Sequence, residues 1–201
     1  IAGSDKSKRE ELAKETAQNL KAYHANLIKN LKPDELNNDA LANNAKGKER
    51  EKYPNVVAIA QAYNNLKDMI IEDILFARSP EEQKNIYNFY LEVAHQAYLN
   101  NDITSLMPIM SGLLDSSVDR LKIKPEDPER KKILTDLMDS GGHFKNLKEF
   151  TKKLEEKGEV YLPNMVEIIR SATGASSENK EFDKDSGDLN LVKMDVVGMI
   201  Q

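Results

Sequence analysis

The spacing of apolar residues along the chain predicts a series of amphipathic helices. Between residues 8 and 31 apolar side chains recur at intervals of three and four, and the same intervals return after residue 55 and after residue 85. Ser79-Pro80-Glu81-Glu82 is typical of a helix start, because it combines a capping Ser, a Pro at the first helical position and acids in the first turn. The pattern therefore predicts an all-α fold.

The stretch from Leu99 to Lys122 is the most apolar part of this pattern. Asn100, Asn101 and Asp102 are expected to end one helix and cap the next, since their side chains accept the free N–H groups of a helix start. Residues 105–114 are nearly all apolar, which predicts a central helix that is buried on almost every side, with Pro108 in its first turn. A turn at residues 115–117 precedes a new helix at Val118.

The C-terminal half predicts further helices separated by polar loops. We expect helices at residues 130–139, from residue 143 to a stop at Lys157-Gly158, and at residues 165–172. Residues 37–54 and 173–188 are rich in polar residues and are predicted to be surface loops. Nothing in this alternation divides the chain, so we expect one domain over residues 1–201, with residues 1–4 set aside as extraneous to function.

Composition excludes several classes of function. The chain has 201 residues and a net charge of −5. Because it has no Cys, we expect no disulfide, and because its three His are far apart in sequence, we expect no metal site. We expect no cofactor either. Its acids and bases alternate and form no basic face of the kind that nucleic acids require, and it has no apolar run long enough to span a bilayer. We expect a cytoplasmic monomer.

The central stretch resembles the catalytic domain of the Ras-type guanine nucleotide exchange factors, the Cdc25-homology or RasGEF family. That family carries a pattern like N-S-L-M-A-I-I-S-G-L-N-S-S-P-V-x-R-L-K, and Thr104 to Lys122 follow it without a gap. The shared residues are Ser105, Leu106, Met107, Ile109, Ser111, Gly112, Leu113, Ser116, Val118, Arg120, Leu121 and Lys122. On its own, an apolar helix of this kind indicates only a buried core.

The resemblance implies a partner and a contact surface. In the family, the helix that corresponds to residues 80–100 helps to bind the switch II region of a small GTPase, which makes one flank of this helix a candidate GTPase-binding surface. The candidates there are Asn85, Phe89, Glu92 and Gln96. Phe89 is either an exposed anchor of that surface or an extension of the core stripe formed by Ile86, Tyr90, Val93 and Ala97.

Two more candidates follow from the same resemblance. His143 replaces an Asn that contacts the GTPase in the family, although a lone His at a helix start is more often a cap or a solvated side chain. Leu191 lies in Leu189-Asn190-Leu191-Val192-Lys193, which resembles the I-N-F-x-K segment that opens the family's helical hairpin. By resemblance, residues 189–201 start this hairpin, which displaces switch I of the GTPase.

Three functions remain open from the sequence. The first is a guanine nucleotide exchange domain for a Ras-superfamily GTPase, which needs no catalytic residue because exchange forms no covalent bond. The second is a catalytically silent module that binds a GTPase or another protein. It is favoured by Met69 at a family Trp, Gln83 at a family Arg, Phe89 at a position that is often basic in the family, and His143 at a family Asn. The third is an unrelated scaffold role, such as that of a secreted bacterial effector acting in the host cytosol.

Overall fold

The computed structural model describes residues 6–32, 35, 53–139 and 144–169. Within them the regular structure is helical, apart from one isolated parallel bridge between Asp102 and Leu162. The helices are α1 (Lys6–Lys29), α2 (Pro54–Leu75), α3 (Pro80–Leu99), α4 (Ile103–Leu113), α5 (Ser116–Asp119), α6 (Pro128–Leu137) and α7 (Lys145–Glu156). Residues 165–169 are also helical. The predicted all-α fold is confirmed.

Local capping signals define the ends of α3 and α7. The Ser79 side chain accepts the Glu82 N–H at 3.1 Å, and Pro80 is the first helical residue. At its other end α3 stops at Leu99, and Asn101 follows with a φ of 55°. α7 ends in the same manner at Gly158, whose φ of 66° favours a residue without a Cβ. The predictions for these ends are confirmed.

The central helix α4 begins two residues earlier than expected. Asp102 caps it by accepting the Ser105 N–H at 3.0 Å, and the N–H of Ile103 donates to the Leu162 carbonyl at 2.9 Å. The helix therefore starts at Ile103, and the prediction that Pro108 lies in its first turn is wrong. Pro108 lies in the helix interior, where it leaves the Thr104 carbonyl without an i+4 donor.

The chain forms two compact units. One comprises Ile1–His24 and Tyr63–Pro163, and the other comprises Ala25–Ala62 and Asn164–Gln201. The core of the first unit is built on α4, which packs mainly against α3. Its fully buried large residues are Ile70, Ile74, Val93, Ile103, Leu106, Ile109, Met110, Val118 and Leu134. The expectation of a single domain stays a prediction.

The second unit has a small apolar cluster and a capped helix start. Val56, Ile59, Met165 and Ile169 are buried together. The buried carboxylate of Glu35 accepts the N–H groups of Asn55 and Val56, each at 3.0 Å, at the first turn of α2. A carboxylate at a helix N-terminus stabilises the helix by satisfying its free donors.

In the first unit, α4 approaches α2 closely at Gly112. A Cβ at this position would lie 3.0 Å from the Lys67 carbonyl oxygen and 3.1 Å from the Ile70 side chain. One residue earlier, the Ser111 hydroxyl and the Tyr63 hydroxyl are hydrogen-bonded at 2.7 Å. A Cβ here would require the two helices to move apart by a few tenths of an ångström, and the hydroxyl pair holds them in register.

Several sequence predictions lie outside the described residues. These are the loop predicted at residues 173–188 and the hairpin start predicted at residues 189–201. The loop predicted at residues 37–54 lies outside them as far as residue 52. His143 and Leu191 are outside them as well.

The helices α5 and α6 are described, and each begins two residues before its predicted start. They begin at Ser116 and Pro128, because Asp115 and Asp127 are the capping residues.

Candidate functional site

The middle of α3 is buried around its whole circumference. Eight consecutive residues from Tyr87 to Ala94 are buried, although the sequence pattern marks only one stripe of them as core. The polar flank of the helix, defined here as Asn85, Asn88, Glu92 and Gln96, is therefore covered in its centre. Asn88 and Glu92 are buried, whereas Asn85 and Gln96 are half-buried.

Phe89 belongs to the core in this structure. Its side chain is 5% exposed, and its ring centroid lies 5.3 Å from that of Tyr90 in an edge-on arrangement. Tyr90 in turn donates its hydroxyl proton to Asp73, and burial together with this carboxylate raises the pKa of Tyr90. Of the two interpretations of Phe89, the structure supports the extension of the core stripe.

Glu92 and Gln96 are brought together in a hydrogen-bonded network. The Gln96 amide donates to Glu92 Oε1 at 2.9 Å, and the Arg130 guanidinium of α6 forms an ion pair with Glu92 Oε2. His95 lies 3.8 Å from the same carboxylate, but burial lowers the pKa of His95 despite the nearby charge of Asp127. Arg130 is therefore the cation that compensates the buried Glu92 charge.

Asn88 connects the flank to the segment that precedes α6. Its side-chain oxygen accepts the Glu126 N–H at 2.8 Å, and its amide donates to the Lys84 carbonyl at 2.8 Å. The Glu126 carboxylate is in turn bound by both terminal nitrogens of Arg9 in α1. A cleft of about 520 Å³ lies among α1, α3 and residues 126–130.

A buried polar cluster lies where α3 ends and α4 begins. The His24 Nδ1 and the Ser105 hydroxyl are 2.7 Å apart, and the Lys21 ammonium donates to the Asn100 carbonyl at 2.7 Å. Burial lowers the pKa of His24 to about 4 and raises the pKa of Asp102. Because Ser105 is fully buried, this cluster holds α1 to the start of α4 and does not expose a nucleophile.

The segment at residues 160–163 runs along the same corner. The Leu162 N–H donates to the Asn101 carbonyl at 2.9 Å, and the Thr104 hydroxyl donates to the Pro163 carbonyl at 2.6 Å. Together with the Ile103–Leu162 hydrogen bond, these contacts fix the segment to the first turn of the central helix. The local sequence does not predict this contact, because its two sides are about sixty residues apart in the chain.

Exposed apolar side chains mark surfaces that the sequence pattern does not identify. Met69 is 45% exposed on α2, and Leu114 and Leu121 are 39% and 37% exposed at the two ends of α5. The close contact of Gly112 with α2 and the attraction between Lys67 and Asp115 place these elements side by side. Single exposed apolar side chains are normal on protein surfaces, so exposure alone does not make these three residues a binding surface.

Neither a cluster of metal ligands nor a membrane-spanning helix is found in the described parts of the chain. Among them, no three His, Asp or Glu side chains are grouped so as to hold a metal ion. None of the described helices has the length and apolar composition needed to cross a bilayer.

Comparison with known proteins assigns the family. The RasGEF domain family matches residues 15–195 of the chain. This match covers the whole first unit beyond the first turns of α1, including α3, α4 and the corner between them. The chain therefore belongs to the RasGEF domain family.

Individual relatives are divergent. Ras guanine nucleotide exchange factor E of Dictyostelium discoideum is 29% identical over 139 residues, which are 66% of this chain and 13% of that protein. Ras-specific guanine nucleotide-releasing factor RalGPS2 of Homo sapiens is 24% identical over 170 residues, 77% of this chain and 28% of that protein. Ras-GEF domain-containing family member 1C of Mus musculus is 28% identical over 137 residues, 65% of this chain and 29% of that protein. The chain thus spans less than a third of these relatives.

Proposed function

We propose that this chain binds a small GTPase of the Ras superfamily and promotes the release of its GDP. The observation that carries the proposal is the RasGEF match over residues 15–195, which includes α4 and both of its capped ends. Faster release requires that the chain bind the GTPase more tightly in the transition state of GDP release, and in the nucleotide-free state that follows, than in the GDP-bound state. The proposal therefore needs a contact surface and no reactive side chain.

Two parts of the described surface support this contact. Met69, Leu114 and Leu121 offer exposed apolar area on adjacent elements, and Met69 stands where the family has a Trp. The edges of the α3 flank, Asn85 and Gln96, are accessible enough to contact a partner. Phe89 and Glu92 are buried, so these two side chains offer little contact area there. For His143 and Leu191, GTPase contact stays a prediction from the resemblance.

A second candidate is a module that binds a GTPase without exchanging its nucleotide. It is favoured by the replacement of family residues at contact positions, above all Met69, which is flexible where a Trp would be rigid. Such a module would bind the GDP-loaded and the nucleotide-free GTPase with similar affinity, and binding of that kind shifts no equilibrium.

The test combines nucleotide release with binding. Fluorescent GDP is loaded onto Ras, Rap, Ral and Rab-type GTPases, and its release is followed with increasing concentrations of the chain. Affinity for each GTPase is measured in parallel, with GDP and without nucleotide. Faster release of GDP from at least one GTPase, together with tighter binding of its nucleotide-free form, is the expected result.

The other outcomes separate the two candidates. Equal affinity for both forms of a GTPase, without faster release, identifies the silent binding module. No binding to any GTPase by a folded chain contradicts both candidates. Circular dichroism of the same sample shows that the chain is folded.

A further inference from the structure

The C-terminal end of α2 carries two large apolar side chains on its solvent face. Met69 is 45% exposed and Phe76 is 81% exposed, and their spacing of two helical turns places them on one line along the helix. The Phe76 N–H donates to the Glu72 carbonyl at 2.9 Å, so the helical hydrogen bonds continue as far as Phe76. The opposite face packs into the core through Ile70 and Ile74. An aromatic ring as exposed as that of Phe76 is a candidate for a binding anchor.

Two exposed carboxylates lie between these apolar side chains. Glu72 and Asp73 follow Met69 by three and four residues and precede Phe76 by the same intervals, so each is a neighbour of both on the helix surface. The four residues Met69, Glu72, Asp73 and Phe76 are called here the α2 stripe. A partner that buries Met69 and Phe76 together must therefore cover both carboxylates as well.

The carboxylates of the α2 stripe have no cation of their own. Among the residues that the structure describes, neither Glu72 nor Asp73 forms an ion pair, and Lys67 pairs with Asp68 instead, at 3.4 Å. The Tyr90 hydroxyl donates to Asp73 and holds this carboxylate in place without neutralising it. Taking an unpaired carboxylate out of water is costly. A partner that covers the α2 stripe therefore has to supply Lys or Arg.

The position of these two acids does not favour the helix that carries them. The C-terminal end of a helix has a partial negative charge, which disfavours Asp and Glu and favours Lys and Arg. The last turn of α2 contains Glu72 and Asp73 and no basic residue. Departures from the rules of local stability are expected at functional sites. The acids of the α2 stripe are thus better explained by a partner than by helix stability.

We propose that the α2 stripe selects the GTPase that this chain binds, by requiring a GTPase surface on which an apolar side chain is flanked by Lys or Arg. Met69 and Phe76 contact the apolar side chain, and Glu72 and Asp73 pair with the cations. A second copy of the chain does not fit, because two such stripes would bring like charges together. The inference rests on the proposed function and adds a charge requirement on the partner.

Charge reversal and truncation test the two parts of the α2 stripe. Affinity is measured for whichever of the Ras, Rap, Ral and Rab-type GTPases the wild-type chain binds. At low salt, Glu72→Lys and Phe76→Ala should each weaken this affinity by about tenfold. The loss in Glu72→Lys should shrink as the salt concentration rises, whereas the loss in Phe76→Ala should not, because only a charge is screened.

A complementary substitution on the GTPase tests the pairing itself. Each surface Lys and Arg of that GTPase is changed to Glu in turn, and binding to Glu72→Lys is measured again. At least one of these reversals should bring the affinity of Glu72→Lys closer to that of the wild-type pair, since opposite charges then face each other again.

Matched controls come from exposed residues of other helices. Glu15→Lys reverses an exposed carboxylate of α1, and Ile133→Ala removes a side chain of α6 that is 56% exposed. Both should leave the affinity for the GTPase unchanged. The melting temperature of Glu72→Lys should be no lower than that of the wild type, because a cation suits the end of α2. A loss of affinity without a loss of stability cannot come from unfolding.

The outcomes distinguish this inference from the proposed function. If the wild type binds a GTPase and either Glu72→Lys or Phe76→Ala binds it equally well, the role of the α2 stripe is overturned and the proposed function is untouched. The role is also overturned if no charge reversal on the GTPase improves the binding of Glu72→Lys. If the folded wild type binds none of the GTPases, the proposed function fails and this inference fails with it.

Discussion

The helices α4 and α3 are both buried, but for different reasons. α4 is apolar around most of its circumference, and its first turn is capped by its neighbour in sequence, Asp102. α3 carries a polar flank whose central residues, Asn88 and Glu92, are as buried as many core residues. That flank is covered by side chains and backbone from elsewhere in the chain. The burial of α4 thus follows from its own sequence, whereas the burial of the α3 flank depends on residues that are distant in the chain.

This difference has an energetic consequence. Removing an apolar side chain from either helix leaves a cavity, whereas removing a polar side chain of the α3 flank leaves a buried hydrogen-bonding or charged partner without its complement. Four substitutions or conditions test this contrast, in order of expected effect.

The largest effect is expected from Phe89→Ala, which removes a ring from the core on the α3 side. The free energy of unfolding should fall by about 3–5 kcal/mol, as for other buried Phe residues. Urea unfolding measures this change. Phe76→Ala is the control, because Phe76 is 81% exposed and its truncation should change stability by less than about 0.5 kcal/mol.

The same variant decides the role of Phe89. In the core, its loss lowers the melting temperature and leaves the affinity of the folded chain for a GTPase unchanged. Unchanged stability together with an affinity loss of about 1–3 kcal/mol would instead make Phe89 a binding anchor.

Acidic pH should lower the free energy of unfolding through protonation of His24, which contacts Ser105 at the start of α4. The pKa of His24 is lowered by burial from its ordinary value of 6.5 to about 4 in the folded chain, so the unfolded chain binds more protons between these limits. The free energy of unfolding should therefore fall as the pH falls from about 6.5 to about 4, by roughly 2 kcal/mol at pH 5. Asp102, whose pKa is raised, works in the opposite direction and offsets part of the loss.

Urea unfolding of the wild type and of His24→Asn at pH 7 and pH 5 isolates this contribution. The variant retains an amide near the Ser105 hydroxyl but has no imidazole to titrate. Its stability should depend less on pH than that of the wild type. An equal pH dependence in both chains would show that His24 does not carry the effect.

Gly112→Ala tests the close approach of α4 to α2. The new Cβ would lie 3.0 Å from a backbone oxygen, which cannot move without shifting a helix. We expect a loss of about 1–3 kcal/mol in the free energy of unfolding, measured by urea unfolding. Helix propensity alone would favour Ala by about 1 kcal/mol, so any gain in stability contradicts the close packing.

The smallest expected effect is that of Met69→Ala on the exposed surface of α2. Because Met69 is 45% exposed, its truncation should change the free energy of unfolding by less than about 0.5 kcal/mol. If the side chain contacts the GTPase, the affinity should fall by about 1 kcal/mol, which calorimetric titration can detect. An unchanged affinity would remove Met69 from the contact surface.

Features encoded in neighbouring residues could be predicted from the sequence. The Ser79 cap, the Asp102 cap and the end of α7 at Gly158 depend on short-range signals, and the structure confirms each one. The all-apolar run of α4 likewise predicts its burial. The family resemblance from the same stretch is confirmed by the RasGEF match.

Features that depend on distant residues could not be predicted. The start of α4 at Ile103 is fixed by a hydrogen bond to Leu162, which no local pattern reveals. Glu92 is buried next to Arg130, which compensates its charge. The helical spacing of polar and apolar residues does not show whether a polar residue faces water or an ion-pair partner. Exposure of Met69 and Leu114 is equally a product of packing.

The most direct test of the account is the rate of fluorescent GDP release from a small GTPase at substoichiometric amounts of this chain. The account predicts that the rate rises in proportion to the concentration of the chain for at least one member of the Ras superfamily, with each chain acting on many GTPase molecules. A release rate that is independent of the folded chain for Ras, Rap, Ral and Rab-type GTPases would contradict it.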